Sequence, residues 1–161
     1  MTSRGDEGIK LNKTVIIDAE GAILGRLASK VAKLLQEGFR VYVVNADKAV
    51  ISGDRLMVIK SYHIWLEIKT LRNPQKSSPK RPRSPEAIIK RAVKGMLPKD
   101  NWKGIEALRR LKVFVGVPKE FKNKEFIHIA DADVSRLKGN YITVAEIAKS
   151  MGWKARERAS K

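Results

Sequence analysis

Residues 14–44 read TVIIDAEGAILGRLASKVAKLLQEGFRVYVV and decide the fold. The stretch opens with TVII and closes with VYVV, two short β-branched runs that are typical of buried strands. Between them, apolar residues recur at spacings of three and four, which predicts an amphipathic helix ended by Gly38. These apolar residues are Leu24, Leu27, Ala28, Val31, Leu34 and Leu35. A strand, a helix and a strand in about thirty residues predict a βαβ unit with parallel strands.

Four later helices carry signals at their starts. Asp54 is placed to cap the first of them, and Asp100 is placed to cap the third. The second begins at Ser84, which is followed by a proline and an acid, the residues preferred in a first helical turn. Thr143 stands three residues before a glutamate, which is a capping box.

The apolar residues of these helices are expected to face the core. On the helix after Asp54 the expected inward residues are Leu56, Ile59, His63 and Leu66. On the helix after Ser84 they are Ile88, Ile89, Ala92, Val93 and Met96. On the helix after Asp100 they are Trp102, Ile105 and Leu108.

Three further apolar runs predict strands, namely KAVI at 48–51, KVFVGV at 112–117 and FIHIA at 126–130. The charged segment 120–125 between the last two is expected to be a mobile connection. No internal repeat and no clear linker divides the chain, which favours a single α/β domain over residues 1–161.

The positive charge is concentrated in one part of the chain. The formal net charge is +17 and the pI about 10.3, which suits a phosphate-rich partner. Residues 69–112 alone carry a net charge of +11, although they form little more than a quarter of the sequence. The remainder is close to balanced. The sequence therefore predicts a nearly neutral globule with one cationic face.

The most basic stretch is an arm at residues 69–83, which contains six cations, three prolines and no acid. Proline favours extended backbone, and such a segment buries too little apolar surface to order by itself. We expect the arm to order against a polyanion, with RNA as the candidate; a solvated, disordered linker is the alternative. A second, shorter basic tail occupies residues 153–161.

The sequence contains few residues of the types that usually carry out catalysis. The chain has no cysteine and two histidines, so thiol chemistry is excluded and a histidine-based metal site is not expected. Asp131 and Asp133 could chelate magnesium, but a local turn or cap is the favoured role for them. The glycine turn Gly21–Gly25 lies between a strand and a helix, where phosphate loops occur, yet it lacks the P-loop spacing and is preceded by two acids, Asp18 and Glu20. A nucleotide-dependent enzyme that uses this turn is kept as an alternative.

No signal points to a membrane or to export. No apolar run approaches the ~20 residues that cross a bilayer, and the first thirteen residues lack a signal-peptide core. We therefore expect a soluble, intracellular protein.

Two motifs resemble a known family. The run KRAVKGMLP at Lys90–Pro98 resembles the R-x-V-x-G-M-L-P signature of the large-subunit ribosomal protein family L-thirteen. The runs VIIDAEGAILGRLASKVAKLL and VYVVNADKAVISGD are similar to the first βαβ unit of that family. The similarity covers roughly residues 14–150 and looks like the archaeal and eukaryotic branch, without the longer helical extension that eukaryotic members usually carry.

The resemblance implies a three-layer α/β/α fold with a mostly parallel four-stranded sheet and a basic extended arm. It also implies a non-enzymatic, cytoplasmic protein of the ribosome that binds large-subunit rRNA early in assembly. Its partners would be that rRNA and neighbouring large-subunit proteins. It would have no cofactor, no metal, no membrane and no small-molecule substrate. A basic module for an acidic protein is a further alternative.

The arm and the signature motif would then contact rRNA, together with cations of the following helix. The residues expected at this contact are Lys69, Arg72, Lys76, Lys80, Arg81, Arg83, Lys90, Arg91, Lys94, Gly95, Met96, Leu97, Pro98, Lys99, Arg109 and Arg110.

Overall fold

The computed structural model describes residues 14–77 and 79–155, and residues 1–13 and most of the basic tail lie outside them. The five strands are β1 (Thr14–Asp18), β2 (Arg40–Val44), β3 (Val50–Ser52), β4 (Leu111–Val113) and β5 (Tyr141–Thr143). The six α-helices are α1 (Leu24–Gln36), α2 (Arg55–Glu67), α3 (Pro74–Ser77), α4 (Pro85–Met96), α5 (Trp102–Arg109) and α6 (Val144–Ser150). The α/β class predicted from the sequence is confirmed.

The βαβ prediction is also confirmed. Strands β1, β2 and β4 form a parallel sheet in the order β1-β2-β4, with Val15 opposite Val41 and Val41 opposite Leu111. Helix α1 connects β1 to β2, and Leu27 and Val31 of its apolar stripe are fully buried, while Leu34 is partly buried. The helix stops before Gly38, whose φ of +97° suits glycine.

The parallel sheet has one helical face and one aromatic face. Val41 and Val43 of β2 pack with α1 and α4 in the main core, while Val44 and Tyr42 point to the opposite side. On that side Phe121, which is buried, anchors a short 3₁₀ turn, with Phe114 and Phe126 packed nearby. In the described part of the chain, a loop with aromatic side chains therefore covers this face of the sheet. The segment 120–125, which was expected to be a mobile connection, is held there by the buried Phe121.

The expected fourth strand of the sheet is reduced to a single bridge. Ile127 accepts a hydrogen bond from the backbone N–H of Asp18 and donates one to Ile16, at 3.2 and 2.9 Å, on the free edge of β1. The chain leaves the edge at once, because the neighbouring residues form a loop and then 3₁₀ turns. The predicted strand at 48–51 does not join this sheet either.

A second, antiparallel sheet joins residues 50–52 to residues 141–143, which lie near the C-terminal end of the described chain. Strand β3 pairs with β5, with Val50 opposite Thr143. Helix α6 starts directly after β5, and the hydroxyl of Thr143 accepts a hydrogen bond from the Glu146 N–H at 3.3 Å, as the capping box predicts. A parallel bridge between Ile23 and Val50 connects the residue before α1 to β3.

Two buried polar residues close the ends of β1 and β2. The Asn45 amide donates to Asp18 Oδ1 at 2.9 Å, and the Glu20 N–H donates to the same oxygen, also at 2.9 Å. Asn45 has a φ of +54°, the left-handed conformation that asparagine tolerates better than most residues. These bonds satisfy a carboxylate that burial would otherwise penalise.

The predicted buried faces of α2 and α5 are partly wrong. Leu56 is 76% exposed, and α2 contains no fully buried residue because it lies at the edge of the fold, where it packs mainly on α6 and β5. On α5 the buried residues are Gly104 and Ala107, whereas Trp102 and Ile105 are exposed. Met96 of α4 is also exposed, at 43%. Across the described residues, no helix is both long enough and apolar enough to span a membrane.

Candidate nucleic-acid interface

The basic arm is not wholly extended. Helix α3 interrupts it, and the Asn73 side chain accepts a hydrogen bond from the Lys76 N–H at 3.1 Å. An asparagine cap followed by Pro74 is a helix start signal, and it was not recognised among the prolines and cations of this stretch.

The arm returns to the body at Arg81. The Arg81 guanidinium carbon lies 5.1 Å from the centre of the Trp65 ring on α2, and Arg81 Nε is buried with no hydrogen-bond partner among the described residues. In the described part of the arm, no cation is paired with a carboxylate. The arm therefore keeps its positive charge available to an external partner.

Helix α4 is packed on the core through one face and exposes cations on the other. The Ser84 hydroxyl caps the helix by accepting from the Ala87 N–H at 3.3 Å, as predicted. Ile89 and Val93 are fully buried, so the helix is fixed to α1 and the sheet. The opposite face is exposed and carries Lys90, Arg91 and Lys94.

A groove runs beside α4 and receives cations from three segments. One end of it lies between the arm and α5, and its cationic lining is Lys80, Arg81, Lys90, Arg91, Lys94 and Arg109. The other end lies between α4 and the start of α5, where Arg91 and Lys94 are joined by Lys99. We call these two clefts, which share Arg91, Lys94 and Leu108, the cationic groove. Its length and charge suit the sugar-phosphate backbone of a nucleic acid.

A close backbone approach shapes the second end of the groove. A Cβ atom added to Gly104 would lie 2.0 Å from the Pro98 carbonyl oxygen, so only glycine lets α5 pack against this turn. Asp100, with a φ of +57°, completes the turn, and the true cap of α5 is Asn101, which accepts from the Lys103 N–H at 3.3 Å. The predicted cap at Asp100 is therefore wrong, and the need for glycine at position 104 is not visible in the sequence.

The residues of the signature motif divide into exposed and buried positions. Gly95, Met96, Pro98 and Lys99 are exposed, and a Cβ added to Gly95 would meet no atom within 4 Å. Leu97 is only 5% exposed and belongs to the core. Its side chain holds the end of α4 in place and is not available for contact.

Arg109 and Arg110 have different surroundings. Arg109 is exposed and its guanidinium lies 5.3 Å from the Trp102 ring centre. Arg110 points away, because its Nη2 donates to the Leu35 carbonyl at 2.7 Å and its Nη1 lies 3.4 Å from a Glu106 carboxylate oxygen. A cation at the C-terminus of α1 is favourable to the helix dipole, so Arg110 serves the fold.

The remaining candidates lie around the arm. Lys69, Lys80 and Arg83 line a cleft beneath it together with the end of α2 and the start of α3. Arg72 and Lys76 are exposed on the arm itself. The structure thus brings the predicted cations of the arm and of α4 to neighbouring clefts that share Lys80 and Arg81.

The glycine turn is closed by its own hydrogen bonds. The N–H groups of Gly21 and Ala22 donate to the carbonyls of Lys48 and Ala19, at 3.3 and 3.0 Å, and the Ile23 N–H donates to the Ala132 carbonyl at 2.6 Å. These are the groups that a phosphate loop would offer to its ligand.

The acid in this turn is also engaged. The Lys48 ammonium lies 2.9 Å from Glu20 Oε1, and this hydrogen bond raises the pKa of Lys48 above its usual value. The turn is therefore a structural junction between β1, the 3₁₀ turn at Ala46–Lys48 and α1.

The candidate magnesium ligands are likewise used in the fold. Asp131 lies 3.4 Å from the Lys30 ammonium and 3.2 Å from the Arg136 guanidinium. Asp133 caps a 3₁₀ turn, since its Oδ1 accepts from the Ser135 backbone N–H at 3.5 Å, and its Oδ2 accepts from the Ser135 hydroxyl at 3.0 Å. A local capping role for Asp133 was the favoured interpretation of the sequence, and it is confirmed.

Comparisons with known proteins identify the family. The family model described as Ribosomal protein L13 matches residues 12–120. The large ribosomal subunit protein uL13 of Saccharolobus solfataricus is 54% identical over 141 residues, which cover 88% of this chain and 94% of the relative. That of Aeropyrum pernix is 49% identical over 142 residues, 88% and 92% of the two chains. That of Archaeoglobus fulgidus is 46% identical over 141 residues, 86% and 88% of the two.

These three relatives are archaeal, in agreement with the branch that the motifs indicated. The matched region contains the βαβ unit, the arm and the whole of α4 and α5. The chain belongs to the ribosomal protein L13 family.

Proposed function

We propose that the protein is a structural constituent of the large ribosomal subunit, where it binds large-subunit rRNA and supports early assembly in the cytoplasm. Family membership and the names of the relatives support the ribosomal assignment. The observation that carries the rRNA-binding proposal is the cationic groove, whose two adjoining clefts are lined by cations of the arm, of α4 and of α5.

The body of the protein acts as a rigid platform for this surface. Ile88, Ile89 and Val93 fix α4 to the core, so Lys90, Arg91 and Lys94 are held in constant relative positions. A preorganised array loses less conformational entropy on binding than the same cations on a flexible chain. Arginines can bind a phosphate with two parallel hydrogen bonds, and lysines add point charge.

The arm would supply further phosphate contacts from a segment that is only lightly attached to the body. Extended basic segments suit irregular RNA, whose phosphates converge in junctions that a helix cannot enter. Of the sixteen residues expected at the contact, we assign packing roles to Leu97 and Arg110 because both are engaged in the fold. The other fourteen remain the proposed contact residues.

Salt dependence provides the test of this proposal. Each phosphate neutralised by a cation lowers log K by about 0.7 to 0.9 per decade of salt. Binding of the full chain to rRNA extracted from purified large subunits should therefore weaken steeply with salt. Replacing Arg81, Arg83 and Arg91 together by Ala should reduce the slope by about 2 to 3 and leave the circular dichroism spectrum unchanged.

A matched triple variant controls for net charge. Lys122, Lys138 and Lys149 are exposed and do not line the cationic groove, so their joint replacement by Ala removes the same charge elsewhere. This variant should retain most of the affinity. An equal loss in both variants, or a flat response to salt, would contradict a defined rRNA interface.

A further inference from the structure

An apolar patch on α5 lies against the cationic groove. Trp102 is 63% exposed and Ile105, one turn further along the same helix face, is 48% exposed. Ile105 lines the groove opposite Gly95, with Lys99 and Arg91 beside it. These residues follow the spacing of a buried helical face, yet nothing in the described residues covers them.

The indole of Trp102 is held in place on this surface. The Arg109 guanidinium, two helical turns further along, lies 5.3 Å from the ring centre. Stacking of this kind restrains an aromatic side chain that would otherwise sample several rotamers. Arg109 itself lines the groove, so the same residue belongs both to the patch and to the cationic surface.

The surroundings of the patch indicate what would cover it. Arg91 and Lys99 line the groove with Ile105, whereas Arg109 stacks on Trp102 and Lys103 follows it on α5. The cover must therefore bring negative charge and a planar apolar group together. An unpaired nucleotide has both, because its phosphate carries the charge and its base offers a π-face for stacking.

We propose that Trp102 is a stacking platform for an unpaired rRNA base whose backbone lies in the cationic groove. This inference rests on the proposed function and adds to it the kind of RNA that the groove accepts, a single-stranded or bulged segment. In a continuous duplex the bases are stacked on one another and are not free to stack on the indole. Ile105 widens the apolar surface beside the ring.

The experiment compares RNA probes with and without bases. The full chain and its Trp102→Ala and Trp102→Phe variants are titrated with oligo(rA) of twelve nucleotides, with an abasic strand of equal length, and with an RNA duplex of equal phosphate count. We expect the parent to bind oligo(rA) more tightly than the abasic strand. Trp102→Ala should lose about 5- to 100-fold for oligo(rA) alone, and Trp102→Phe should keep most of the affinity.

A spectroscopic readout accompanies the titration. In a background carrying Trp65→Phe and Trp153→Phe, Trp102 is the remaining indole of the chain, so oligo(rA) should quench its fluorescence while the abasic strand should not. Because Trp102 is exposed, the Trp102→Ala variant should keep the thermal midpoint of the parent.

The outcomes separate this inference from the proposed function. Equal binding of oligo(rA) and the abasic strand by the parent, or equal loss for all three probes in Trp102→Ala, overturns the stacking proposal. If rRNA binding still falls in the Arg81, Arg83 and Arg91 variant, the proposed function stands without it. If Trp102→Ala failed to bind a protein that the parent binds, while its RNA binding was unchanged, the patch would be a protein-binding surface. That result would also overturn the proposal.

Discussion

The guanidinium of Arg81 lies over the Trp65 ring at 5.1 Å, so a cation–π contact attaches the basic arm to α2. At partly exposed sites such a contact contributes about 0.5–1 kcal/mol. The buried Arg81 Nε without a hydrogen-bond partner reduces this benefit. The attachment is therefore weak compared with several phosphate contacts, and RNA can displace it at little cost.

Removing the aromatic side of this contact should loosen the arm. In Trp65→Ala we expect tryptic cleavage within residues 69–83 to accelerate about two- to fivefold, because the open form gains the lost 0.5–1 kcal/mol. Trp102→Ala is the matched control, since it removes an exposed tryptophan that does not touch the arm. Equal cleavage rates in the two variants would mean that Trp65 does not hold the arm.

Replacing Gly95 by alanine should affect the stability of the protein and its affinity for rRNA in different ways. A Cβ added there meets no protein atom, and alanine has the higher helix propensity, so Gly95→Ala should leave the free energy of unfolding unchanged or raise it by up to about 1 kcal/mol. If RNA approaches this backbone closely, the same variant should bind rRNA more weakly, measured by titration beside chemical denaturation. Gly25→Ala is the control, because Gly25 is equally open but lies on α1. Unchanged rRNA affinity in Gly95→Ala would remove Gly95 from the contact.

Gly104 should behave in the opposite way. In Gly104→Ala the new methyl group would collide with the Pro98 carbonyl, which is backbone and cannot rotate away. We expect the free energy of unfolding to fall by about 1–3 kcal/mol, measured by denaturant titration. A stability equal to that of Gly95→Ala would show that the turn can move without cost.

Two arginines of the predicted contact should give complementary results. Arg110→Ala removes a charged hydrogen bond to the end of α1 and should lower the free energy of unfolding by about 1–2 kcal/mol, without changing the salt slope of rRNA binding. Arg91→Ala should reduce that slope by about 0.7 to 0.9 and leave stability near that of the parent. Thermal denaturation and salt titration of both variants check the pair, and a reversed pattern would exchange the two roles.

Signals that act over a few residues were read correctly from the sequence. The βαβ unit, the Ser84 cap and the Thr143 capping box depend on neighbours within one or two turns, so local chemistry determines them. The role of Arg110 could not be found in this way, because the carbonyl that it binds is 75 residues distant in sequence.

Whether a given helix face is buried or exposed was harder to predict from the sequence than these local signals. Periodicity places Trp102 and Ile105 on one face of α5 but does not show whether that face is buried. The buried residues of α5 are instead the small residues Gly104 and Ala107. Leu56 was misplaced for a similar reason, since α2 lies at the edge of the fold. The rRNA contacts themselves remain predictions, supported by where the cations lie.

The pairing of β3 with β5 determines which sheet can form first while the chain is being synthesised. Val50 needs Thr143 as its partner, so the antiparallel sheet cannot close until nearly the whole chain has been translated. Strands β1 and β2 and the helix between them need no residue beyond Val44 to pair with each other. A nascent chain therefore carries an early parallel pair and an open edge at Val50–Ser52, which a chaperone could protect until the C-terminal strand emerges.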